Sequence, residues 1–76
     1  MEYREIYALW GQYTDGKAIN EVLIRLYTNK QVAESRAEDM NRVEDRLVER
    51  GKRAAKTKAH FFVTDEQLAE GDREYA

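Results

Sequence analysis

The chain has 76 residues, 13 Lys or Arg against 15 Asp or Glu for a net charge of −2, and neither Cys nor Pro. That length makes one domain over residues 1–76, near the lower limit at which a single core outweighs chain entropy. Without cysteine there is no disulfide framework, thiolate zinc site or cysteine nucleophile, and the charge balance argues against a general nucleic-acid binder.

Residues 3 to 13 read as a strand, because Tyr, Ile, Leu and Trp suit a pleated, half-buried surface and Thr14-Asp15-Gly16-Lys17 is a hairpin signal. With Asp15 and Gly16 as a two-residue type I′ turn, Thr14 faces Lys17, Leu9 faces Val22, Tyr7 faces Ile24 and Trp10 faces Glu21. One face then carries Tyr7, Leu9, Tyr13, Val22, Ile24 and Leu26, the expected core side. The other carries Ile6, Ala8, Trp10, Ile19, Leu23 and Tyr27, interrupted by Arg4, Gln12, Glu21 and Arg25. This second face is too apolar for a surface that meets only water.

After Tyr27 the period becomes helical. Thr28-x-x-Gln31 matches a capping box, Ala33, Ala37, Met40, Val43, Leu47 and Val48 form an apolar stripe, and Gly51 is a stop signal. The helix so defined has about 22 residues and is roughly 33 Å long. Ala54 and Ala55 would allow it to continue past Gly51 instead. Arg36 and Glu44 fall inside the apolar sector and are expected at its edge, with their charges turned outward.

Residues 59 to 64 read as a third strand, and the acidic stretch 65–76 as a short turn or frayed tail pinned by Leu68 or Tyr75. The order strand, strand, helix, strand implies an α+β fold of ββαβ topology. Its three-stranded antiparallel sheet has order 2-1-3, with one long amphipathic helix on one face. Tyr7, Leu9, Val22, Ile24 and Leu26 should be buried against Ala33, Ala37, Met40, Val43 and Leu47, leaving the face with Trp10 bare.

No motif carries chemistry. His60 is the sole histidine and Ser35 the sole serine, the helical carboxylates are spaced for a solvated face, and the glycines are too scattered for a phosphate loop. A non-enzymatic protein without metal or cofactor is expected. Arg4, Ile6, Trp10, Ile19, Leu23, Arg25 and Tyr27 have the composition of a protein-binding face, for a partner protein or a second copy in a homodimer. Arg50, Lys52, Arg53, Lys56 and Lys58 complement a helix C-terminus; the alternatives are a patch that faces a protein and one that grips nucleic acid.

The succession Ile6-Tyr-Ala-Leu-Trp-Gly-Gln-Tyr-Thr-Asp-Gly16, Leu26-Tyr-Thr-Asn-Lys-Gln-Val-Ala-Glu34 and His60-Phe-Phe-Val63 resembles the small ββαβ proteins of phages and bacterial mobile elements. The resemblance covers about four-fifths of the chain and implies no active site. Some phage proteins of this size, anti-CRISPR proteins among them, inhibit host defence by occupying a surface of a nuclease complex. The resemblance therefore implies a phage-type inhibitor that binds a host protein or nucleoprotein complex. Met1-Glu2-Tyr3-Arg4-Glu5 lacks a basic n-region and an apolar h-region, and no run approaches a membrane span, so an unprocessed soluble protein of the cytoplasm is expected.

Overall fold

The computed structural model describes residues 3–69. Strands β1 (Tyr3–Thr14) and β2 (Ile19–Tyr27) precede helix α1 (Lys30–Glu49), and a single 3₁₀ turn, Ala55–Thr57, leads into β3 (His60–Ala69). β1 lies between two antiparallel neighbours in the order β2-β1-β3, which is the expected ββαβ arrangement of the α+β class.

The hairpin turn is wider than the sequence suggests. Thr14 pairs with Ile19, leaving Asp15 to Ala18 as the loop. Asp15 Oδ1 accepts hydrogen bonds from the Lys17 and Ala18 amides at 2.9 and 3.0 Å, and Gly16 supplies the left-handed φ of 94°. A side chain that mimics backbone in this way stabilises the longer loop, so Trp10 faces Leu23 rather than Glu21. The register shifts again between Leu9 and Trp10, where Leu9 pairs with Arg25 and Ile24 is the extra residue of a bulge. Beyond it the alternation reverses: Arg25 and Tyr27 turn to the helix side of the sheet, and Leu26 to the opposite side.

The core consists of Leu9, Ala37, Ala59 and Phe61, with Tyr27, Met40 and Val63 packed against them. Ala33 and Ala37 are buried, which lets the helix approach closely. α1 lies over β1 and β3, so Val22, Ile24 and Val43, expected in the core, are exposed and Leu26 faces away from it. Tyr13 meets Phe61 edge-on at 6.0 Å by folding back over Gly11. A Cβ at Gly11 would lie 2.8 Å from the Tyr13 ring, so the missing side chain makes room for that contact.

Asn29, not Thr28, caps the helix, accepting from the Val32 amide at 3.2 Å, the usual third-position bond. At the other end Gly51, with φ 71°, donates to Val48 O at 3.0 Å, and Lys52 donates to Leu47 O at 2.8 Å. This is a Schellman stop, so the helix ends before Gly51 as its position suggested.

Two helix side chains bind the outer edge of β3. The Asn41 amide accepts from Phe61 N–H and donates to Phe61 C=O, both at 2.8 Å. Glu44 accepts from Ala59 N–H at 2.9 Å and from Arg53 Nε at 3.2 Å. Glu44 is only 7% exposed and does not turn outward as expected, because these partners compensate for its lost hydration. Arg36 does stay exposed. β3 continues through Asp65–Ala69, part of the expected tail, because β1 offers unbroken pairing partners as far back as Tyr3. Residues 70–76, with Tyr75, and the side chain of Leu68 lie outside the described structure.

Asn41→Ala should lower unfolding free energy by about 1–3 kcal/mol in urea titrations, since it leaves the N–H and C=O of Phe61 unpaired; Glu44→Gln, which keeps an acceptor, should cost less than Glu44→Ala. The Ala18 amide, and after it the Lys17 amide, hold the Asp15 carboxyl below its ordinary pKa. Its contribution is therefore full above the ordinary aspartate range and lost as pH falls through the depressed value. Asp15→Asn, whose side-chain oxygen still accepts both bonds, should flatten that acid dependence of the melting temperature while Asp15→Ala lowers it at neutral pH.

Candidate protein-docking face

The pleat places alternate residues of all three strands on the side away from α1. Antiparallel pairing aligns them in transverse rows. Leu23, Trp10 and Phe62 form the central row; Glu21, Gln12 and His60 lie toward the hairpin turn, and Leu26, Ala8 and Thr64 on the other side.

The Trp10 indole is fixed. Its Nε1 donates to Thr64 Oγ1 at 2.8 Å, and that hydroxyl donates to Glu66 Oε2 at 3.0 Å. Since Thr64 faces Ala8 in the register, this bond draws the indole toward Ala8, which is 1% exposed. His60 and Phe62 stack nearly parallel, 5.8 Å and 18° apart, extending the aromatic surface along β3. Leu23 is exposed beside Trp10, and Ile19, 67% exposed, continues the apolar surface toward the turn. Every residue of β2 from Ile19 to Arg25 is exposed.

Of the residues singled out in the sequence, Trp10, Ile19 and Leu23 share this outer face, and Arg4 is exposed at its far end. Ile6 is on the same face but only 5% exposed, so it presents little area to a partner. Arg25 and Tyr27 are carried to the helix side by the bulge. There Tyr27 packs on the core, with the Arg25 guanidinium 5.6 Å from its ring centroid. Phe62, His60, Thr64 and Leu26 complete the face. The first three alternate along β3, a signal readable once its antiparallel register is known; Leu26 depends on the bulge.

Two of the five basic residues of the segment are engaged in the fold. Arg53 binds Glu44, and Lys58 binds Asp45 at 2.8 Å; Arg50, Lys52 and Lys56 are exposed and in no ion pair among the described residues. Tyr7, on the helix side, donates to Glu5 Oε2 at 3.3 Å, and partial desolvation together with that carboxylate raises its pKa. Among the described residues no group of His, Cys, Asp or Glu is arranged to hold a metal ion, and no helix is long and apolar enough to cross a membrane.

No family model, curated protein or solved structure matches the chain.

Trp10→Phe and Thr64→Val should each destabilise the fold by about 1 kcal/mol through the lost indole–hydroxyl bond. In a double-mutant cycle the two losses should be clearly less than additive, which chemical denaturation of the four proteins will measure.

Proposed function

We propose that this chain is a small, non-enzymatic protein-binding module that docks on a partner protein through the outer face of its sheet. The observation that carries this reading is the row Leu23–Trp10–Phe62, which no described element covers while α1 closes the opposite face. Trp10 supplies the large aromatic anchor characteristic of binding hot spots, and its bond to Thr64 holds the ring before any partner arrives. An anchor already held loses little rotamer entropy on binding. Gln12, Glu21, His60 and Arg4 form a polar margin around it. The narrower reading, an inhibitor occupying a surface of a host protein or nucleoprotein complex, rests on the resemblance to small phage proteins. Engagement of Arg53 and Lys58 by Glu44 and Asp45 weighs against a nucleic-acid module built on the basic segment.

Ile19→Arg combined with Leu23→Glu changes exposed residues and should leave the circular dichroism spectrum and melting temperature close to those of the parent. Protein recovered from the native host on the immobilised parent, then titrated by calorimetry, should bind this variant at least about tenfold more weakly. Equal affinity for a normally folded variant rules out the outer face as the docking surface.

A further inference from the structure

We infer that the free edge of β3 beside α1 is a second docking site, which takes an extended, lysine- or arginine-bearing strand from a partner protein. In an antiparallel ladder, alternate residues direct both backbone groups away from their neighbour. Phe61 does so, because its N–H and C=O bind Asn41, and Ala59 directs its N–H to Glu44. Since the β1–β3 register is unbroken from Gln12–His60 to Tyr3–Ala69, Val63 and Asp65 point their N–H and C=O the same way. Neither residue's backbone is hydrogen-bonded on that edge among the described residues.

The helix explains where its own cover stops. α1 runs antiparallel to β3, and two strand residues advance about 6.6 Å, close to the rise of four helical residues. The helical position level with Val63 is therefore Ala37 or Glu38. Ala37 offers only a methyl group, and the Glu38 carboxylate accepts from Arg42 at 3.3 Å, with no hydrogen bond to the strand among the described residues. A groove of about 290 Å³ remains there, lined by Glu34, Ala37, Glu38, Asn41 and Val63. Backbone groups without a partner among the described residues lie there beside Ala37, Val63 and two carboxylates, and strand addition to a sheet edge uses such main-chain groups for affinity and the flanking side chains for specificity.

Charge decides the occupant. Glu34 and Glu38 flank the groove and Asp65 lies on the edge itself; the ion pairs Lys30–Asp65, at 3.9 Å, and Arg42–Glu38 are exposed and readily exchanged. Lys or Arg side chains on an added strand would be met by these carboxylates, of which Glu34 is in no ion pair among the described residues.

The test is an amide-resolved NMR titration of the full chain with an acetylated, amidated hexapeptide of alternating valine and lysine. Saturable shifts centred on the amides of Val63 and Asp65 are expected. Affinity should fall at least about tenfold for the valine–glutamate hexapeptide and for the Glu34→Lys/Glu38→Lys variant, and be lost when the peptide backbone is N-methylated. The inference is overturned by an absence of saturable shifts, by shifts centred on Trp10 and Leu23, or by equal affinity for the acidic peptide.

Discussion

The hydrogen bonds from Asn41 and Glu44 to the edge of β3 set the geometry on which the other features depend. A helix over a three-stranded sheet can sit over either neighbour of the central strand. Here two polar side chains, one turn apart, bind the backbone at Phe61 and Ala59 and hold α1 toward β3. The core therefore gathers around Leu9, Phe61 and Ala37, while the outer half of the hairpin extends beyond the helix. Burying a carboxylate is normally unfavourable, but Glu44 receives an amide and a guanidinium in exchange for water. The same two residues also complete the edge of the sheet where a fourth strand would otherwise pair.

This arrangement divides the molecule into surfaces with different chemistry. The helix side is closed by alanine, whose small side chain permits near contact between α1 and the strands. The outer side presents Trp10, Phe62 and Leu23 in one transverse row, with the indole tied to Thr64 and through it to Glu66. The edge of β3 past Asn41 offers backbone groups beside carboxylates. An aromatic face suits a folded partner, and a polar edge suits an extended one.

Strand order, the apolar stripe of the helix and its glycine stop were legible in the sequence because each follows from a local period or a single conformational requirement. The remainder depended on side chains replacing backbone. Asp15 widened the turn by accepting two amides, a bond set that its sequence neighbours do not distinguish from a two-residue turn. The extra residue at Ile24 then moved Arg25 and Tyr27 across the sheet, although Trp10, Ile19 and Leu23 stayed on the face assigned to them because they lie on the turn side of it. Helical periodicity marked Glu44 as sitting in the apolar sector. The partner that makes burial tolerable is fifteen residues away at Ala59 and has no signature in the helix itself.

The irregularity at Ile24 also bears on the edge that β2 presents for ordered aggregation. β2 is an edge strand rich in Ile, Val and Leu, exposed from Ile19 to Arg25, the composition from which cross-β fibrils grow. Growth of that kind requires each incoming chain to match the last, residue for residue, along a flat template. The bulge breaks the alternation midway, so a strand aligned with Ile19–Leu23 falls out of step at Arg25, and Glu21 adds a charge within the aligned part. The bulge and the charge thus both work against templated growth on this greasy rim.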